Sequence, residues 1–133
     1  MRNAHLWFVL FAVLMACGGA LGRQREQQSG VLQMSSIEAP ARTALRQNPY
    51  EGQAEAVTAG RKLFRRHCAV CHGFAGRGQG TAPNLHSTIV QRVSPGALFW
   101  FLKNGNLREG MPSWSRLPDE RLWQLVSYLK ALQ

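Results

Sequence analysis

Two thiols and an imidazole stand close together in Arg65-Arg66-His67-Cys68-Ala69-Val70-Cys71-His72. A Cys-x-x-Cys pair can act as a redox dithiol, hold half of a zinc site, close a disulfide or anchor a haem. A thioredoxin-like dithiol belongs at the strand-to-helix junction of a βαβ unit, and the sequence shows no such unit. Structural zinc takes four ligands, and the adjacent Cys71 and His72 point in different directions from one helix, so these residues do not readily close one tetrahedron. A disulfide gives His72 nothing to do. Haem c accounts for all three: Cys68 and Cys71 add across the vinyl groups as thioethers, and His72 donates a nitrogen to the iron.

A second axial ligand must come from further along the chain. Of the four methionines, Met1 and Met15 lie in the apolar N-terminal segment and Met34 in a polar stretch, leaving Met111 in Gly110-Met111-Pro112. A thioether sulfur is a soft, neutral ligand that raises the reduction potential relative to two imidazoles. Pro112 turns Met111 away from helical geometry, which suits a side chain projected from an extended loop. Plain apolar filling is the other use for such a residue. His67 and His86 are weaker ligand candidates. His67 is expected at the surface or toward a propionate, and His86 could ligate only if its loop turned inward.

Those residues need elements to position them. The chain has 133 residues, 45% of them apolar and 9% aromatic, which suits a single domain. An all-α domain is expected over residues 54–133, with three helices and long connections. The first covers about Ala54 to Cys71, its apolar stripe of Val57, Leu63 and Phe64 set among Arg61, Lys62, Arg65 and Arg66. Ser94 can cap the second, with Pro95 in its first turn, Lys103 in its last and Gly105 as its stop. The third starts near Pro118, where Asp119 and Glu120 suit the positive end of the dipole, and it buries Leu122, Leu125, Val126, Leu129 and Leu132. The intervening GFAGRGQGTAPNLHST and NGNLREGMPSWSRL read as loops. A domain of about 80 residues is small for a self-sufficient core, so a cofactor to pack against is expected. Phe99, Trp100, Phe101, Trp114 and Trp123 are expected to serve as core and haem-packing groups. One indole, with Trp114 best placed, could reach a propionate.

Ahead of this domain, Arg2 precedes an unbroken apolar block from Leu6 to Cys17 with the shape of a secretory signal, short for a membrane span. Leu14-Met15-Ala16-Cys17 resembles the lipobox of bacterial lipoproteins. The resemblance implies a signal peptide over 1–16 and a lipid on Cys17, the first mature residue. An ordinary cleaved signal and an uncleaved anchor helix are the alternatives, and all three place the domain outside the cytoplasm. Residues 17–53, rich in Gln, Ser and Arg, read as a flexible tether. Its reach is about 30 Å if wholly flexible. Wrapping onto the domain or a short helix is the alternative for Met34, Ile37 and Leu45.

Over about residues 58–132 the chain resembles the monohaem class I cytochromes c. Gly60-Arg61-Lys62-Leu63-Phe64 is similar to their N-terminal helix motif, whose glycine admits the C-terminal helix and whose aromatic meets a partner there, here Tyr128. Cys68, Cys71 and His72 match the haem-attaching and proximal residues. Met111 matches the axial methionine, and Leu98 to Gly105 resembles the middle helix. Pro83 matches the proline whose carbonyl receives the proximal histidine's other N–H. The resemblance implies a one-electron carrier with both axial positions filled and no reaction catalysed. From Ala54 on, eleven Lys or Arg face four acidic residues, so acidic-surfaced redox donors and acceptors are the expected partners. Nucleic acid is not expected for an exported chain. Two other readings are a haem-bearing electron-entry subunit of a periplasmic dehydrogenase or oxidase complex, and a haem-based ligand sensor with a labile Met111. In every version the setting is the periplasmic side of a bacterial membrane, lipid-anchored or signal-anchored, or else the soluble periplasm.

Overall fold

The computed structural model describes residues 39–132, and its architecture follows from where the caps and apolar stripes lie. Helix α1 spans Ala41–Ala44, α2 Ala54–His67, α3 Ala69–His72, α4 Thr88–Arg92, α5 Pro95–Asn104 and α6 Asp119–Lys130, with a 3₁₀ turn at Leu107–Glu109. Among the described residues there is no strand, only an isolated bridge between Asn106 and Met111. No helix among them is long and apolar enough to cross a membrane. The fold is all-α, as expected.

The crossing of α2 and α6 organises the molecule. Gly60 makes it possible: a Cβ there would lie 2.0 Å from the Gln124 carbonyl oxygen. One turn along α2, Phe64 meets Tyr128 with ring centroids 5.2 Å apart and planes at 49°, a favourable tilted geometry. Leu122, Leu125, Val126 and Leu129 complete the buried face of α6. Leu98 and Leu102 of α5 join the same core. The ends of α5 obey the capping signals: Ser94 Oγ accepts the Ala97 N–H at 3.2 Å, and Gly105 stops the helix at φ 72°. Lys103 in its last turn pairs with Asp119 in the first turn of α6 at 2.7 Å. This exposed pair complements both helix dipoles and contributes below about 1 kcal/mol.

Three expectations need correction. The first helix does not run unbroken to Cys71. At Cys68 the backbone turns to φ −115°, and its carbonyl accepts from both Cys71 and His72, so a separate turn follows. The connection from the first expected helix to the second is not all loop: α4 begins at the end of the GFAGRGQGTAPNLHST stretch, with Ser87 Oγ accepting the Val90 N–H and Val90 only 1% exposed.

The third correction concerns the tether. Residues 39–53 pack against α5 and α6. Gly96 has no side chain and admits the Thr43 carbonyl, and Ser94 Oγ donates to Ala44 O at 2.8 Å. Asn48 is buried and donates to Ser127 Oγ at 2.8 Å and to Trp123 O at 3.3 Å. The Arg46 guanidinium lies 4.7 Å from the Phe99 ring centroid and 5.1 Å from that of Trp123. A segment poor in periodic apolar residues is thus held by polar and cation–π contacts, which helical periodicity does not register. Leu45 stays exposed. The expected signal peptide over 1–16, Cys17, Met34, Ile37 and the tether through residue 38 lie outside the described residues.

Candidate functional site

The end of α2 and the turn of α3 carry the thiols and the imidazole. Cys68 N–H closes α2 on Phe64 O at 2.8 Å, and the carbonyl of Cys68 receives Cys71 N–H at 3.1 Å and His72 N–H at 3.0 Å. Cys68, Cys71 and His72 all line one cavity of about 730 Å³, within the size range of cofactor sites. Its walls are largely apolar, drawn from Phe64, Leu98, Leu102, Leu125 and Leu129. Cys68 and Cys71 form no disulfide with each other. Burial, with the charge of Cys71 second, pushes the Cys68 thiol up to about 11.

His72 is half-buried, and burial lowers its pKa while the Pro83 carbonyl raises it. The neutral imidazole that burial favours is the ligating form. Its Nδ1 lies 3.4 Å from Pro83 O, a long contact that occupies one ring nitrogen and leaves Nε2 as donor. The loop holding Pro83 is folded back on the one after His72. Gly78 N–H donates to His72 O at 3.0 Å and Leu85 N–H to Gly76 O at 2.8 Å.

Met111 is half-buried and lines the same cavity. Its backbone is clasped: Met111 N–H donates to Asn106 O at 2.9 Å, and Asn106 N–H to Met111 O at 2.8 Å. Beyond it, Ser113 Oγ donates to Lys103 O at 2.6 Å and Trp114 N–H to Leu102 O at 3.0 Å. These two bonds satisfy orphan carbonyls at the end of α5, so the methionine loop is fastened to that helix.

The rival histidines separate. His86 Nε2 lies 2.6 Å from Ala75 O, and His86 is not on the cavity wall. His67 does line the cavity, its ring 5.2 Å from that of Trp114, which lines it too. The expected aromatic set divides as well. Phe101 and Trp114 face the cavity, whereas Phe99 and Trp123 stack on each other at 4.3 Å beneath Arg46 and are not among its lining residues. Val90 and Leu85 are wall residues that the periodicity does not reveal. Ser87 ahead of Ile89 and Val90 was the available sign, a cap before a short apolar pair.

Residues 55–129 match the family described as cytochrome C oxidase, cbb3-type, subunit III. The chain belongs to this family of c-type cytochromes. Cytochrome c550 of Pseudomonas aeruginosa is 31% identical over 91 residues, spanning 63% of this chain and 61% of that protein. The crystal structure of cytochrome CL from the marine methylotrophic bacterium Methylophaga aminisulfidivorans superposes with a TM-score of 0.56 at 25% identity, over 64% of this chain and 58% of that one. The chain thus spans less than two thirds of the length of both relatives. Members of the family bind iron as covalent haem c and serve electron transfer.

The residues of this cytochrome fit that cofactor. A largely apolar cavity of about 730 Å³ presents two protonatable thiols, an imidazole with one nitrogen already engaged, and a thioether. Among the described residues no Lys, Arg or Asp lines it, and Glu109 is the carboxylate on its wall.

Proposed function

We propose that this cytochrome is a one-electron carrier whose haem c is attached through Cys68 and Cys71 and ligated by His72 and Met111. The observation that carries the reading is that all four side chains line the same apolar cavity. Haem c, when bound, supplies a one-electron iron couple. The chain's own residues set its surroundings. Pro83 O orients the His72 ring, and the Asn106–Met111 clasp presents the thioether. Phe64, Leu98 and Leu125 exclude water, which favours the neutral ligand set and limits reorganisation. With two protein ligands no iron position is open for a substrate, so no reaction is catalysed.

The domain division is part of the same proposal: a signal peptide over 1–16, a lipid on Cys17, and a tether leading to a domain that begins by residue 39. Such a chain sits at the periplasmic side of a bacterial membrane and meets acidic-surfaced redox proteins. Exposed Arg61, Lys62, Arg65 and Arg66 on one stretch of α2 support that charge preference. The matching family, described as a subunit of an oxidase, favours as second reading an electron-entry subunit of such a complex. Stable co-purification with a catalytic subunit separates it from a mobile carrier.

The test of the ligation is spectroscopic. Protein matured in a periplasm should show the methionine-to-iron charge-transfer band in its ferric spectrum and resist carbon monoxide when reduced. Met111→Ala should lose the band and admit carbon monoxide. A band that survives the substitution would show that another residue ligates the iron. A Cys17→Ser variant that is processed and retained on membranes as before would remove the lipid from the proposal.

A further inference from the structure

Gln91 carries hydrogen bonds out of proportion to its place on a five-residue helix. Its side-chain Nε2 donates to Leu85 O at 2.8 Å and to Leu129 O at 3.0 Å. The first carbonyl belongs to the segment just after Pro83, and the second to the last turn of α6. Its own backbone carbonyl accepts from Lys130 Nζ of α6. Both side-chain N–H groups are therefore committed, while the buried Oε1 has no partner among the described residues. An amide that leaves its acceptor unmatched in order to place both donors is oriented by those two carbonyls.

Those carbonyls lead to the proximal histidine. Leu85 is buried, and while its carbonyl receives Gln91, its N–H donates to Gly76 O at 2.8 Å. Leu85 thus locks the loop after His72 to the loop bearing Pro83, and Pro83 O faces His72 Nδ1 at 3.4 Å. Gly78 leaves little slack between these loops, since a Cβ there would lie 2.5 Å from Ala82 O.

We propose that Gln91 is a positioning residue for the proximal ligand, tying the Pro83 loop to α6 and so fixing the direction from which the Pro83 carbonyl meets the His72 ring. The proposal rests on His72 being the proximal ligand. Through it, the strength of the Pro83 contact, and with it the electron donation of His72 to the iron, depends on how α6 is seated. A residue with no contact to the cofactor then tunes the reduction potential.

The experiment compares holoprotein with Gln91→Met, which keeps the length and removes both donors, and with Gly52→Ala, which strains a turn at φ 76° outside α6, the cavity wall and the Pro83 loop. The readouts are the hyperfine-shifted proton resonances of the haem methyls and the His72 ring in the ferric protein, together with the reduction potential. Gln91→Met should redistribute the haem-methyl shifts and change the reduction equilibrium by about three- to tenfold, tenfold being ~59 mV for one electron. Gly52→Ala should lower stability without redistributing the shifts. Unchanged shifts and potential in Gln91→Met, beside a loss of stability only, would overturn the proposal.

The unsubstituted protein supplies a check that needs no variant to fold. The Gln91 side-chain amide protons should exchange slowly and show cross-relaxation to Leu85 and Leu129, and exchange at the rate of a solvated amide would also overturn it. Failure of the ligation reading has its own signature. A His72→Ala variant that retained hyperfine-shifted imidazole resonances would remove His72 as ligand and this role of Gln91 with it.

Discussion

Gly60→Ala sets two effects of opposite sign against each other. In a helix interior alanine is favoured over glycine by about 1 kcal/mol, so propensity alone predicts a more stable protein. The crossing predicts the reverse. A Cβ at position 60 would lie 2.0 Å from Gln124 O, 2.7 Å from Gln124 C and 2.8 Å from Tyr128 Cβ, where ordinary contact begins near 3.4 Å. The helices must separate by about 1.4 Å to restore the nearest contact, and the obstacle is backbone that no rotamer change can move. Gaps of about 0.5–1 Å forfeit a quarter to a half of a dispersion contact, and the Phe64–Tyr128 pair lies one turn away. Overpacking of this kind costs about 3 kcal/mol, the upper end of its usual range. After the propensity gain the net loss is about 2 kcal/mol, or roughly 8–16 °C in Tm for a domain of this size. Urea and thermal unfolding of the holoprotein, followed by far-ultraviolet circular dichroism, measure it. Gly52→Ala is the control: its φ of 76° carries backbone strain, nothing lies within 4 Å of the added carbon, and the residue is off the cavity wall. It should cost about 1–2 kcal/mol from strain alone. A Gly60→Ala protein as stable as the parent, or more so, would refute the close crossing.

Other perturbations probe residues 39–53, the methionine loop and the charge. Asn48→Ala removes a buried amide bonded to Ser127 and Trp123 and should lower the urea unfolding free energy by about 1–3 kcal/mol, and no shift would mean that residues 39–53 do not dock in solution. Gly105→Ala places a Cβ 2.6 Å from Pro112 C and Ser113 N at φ 72°, so the loop carrying Met111 must move. The expected outcome is a weakened methionine charge-transfer band in the ferric spectrum with haem still attached; a band of parental intensity would show that the α5 terminus does not hold the loop. Raising ionic strength from about 10 mM to about 150 mM shortens the Debye length from ~30 Å to ~8 Å and should slow electron exchange with an acidic redox protein several-fold, as stopped-flow absorbance would record. A rate independent of salt would rule out steering by the basic excess.

What could be read in advance depended on the kind of signal each residue carries. Cys68, Cys71 and His72 stand out by spacing, and Met111 as the one methionine of the domain, and all four line one cavity. Ser94, Pro95 and Gly105 bound α5 through local capping rules that hold wherever the helix packs. The α2–α6 crossing was legible through Gly60, Phe64 and Tyr128 as a resemblance, since nothing local says which glycine meets which helix. The missed features are those decided across long sequence separations. Asn48 is a polar residue in an aperiodic stretch whose value appears only when Trp123 and Ser127 come beside it. Phe99 and Trp123 have the composition of cofactor-packing groups, yet Arg46, from residues 39–53, lies over their stacked pair. The short helix α4 was hidden because five residues are too few to establish a period.

The pairing of α2 with α6 also bears on the order of events during synthesis. Gly60 and Phe64 find their partners only when Gln124 and Tyr128 exist, roughly 60 residues later in the chain. For the exported chain proposed above, the interval is the time α6 takes to emerge after the thiols. Throughout that interval the segment holding Cys68 and Cys71 has no C-terminal helix to shut it in. Residues 39–53 wait on the same event, because Asn48 binds α6. Helix α6 is therefore the closing one, and chemistry at the two thiols has its freest access before that helix docks.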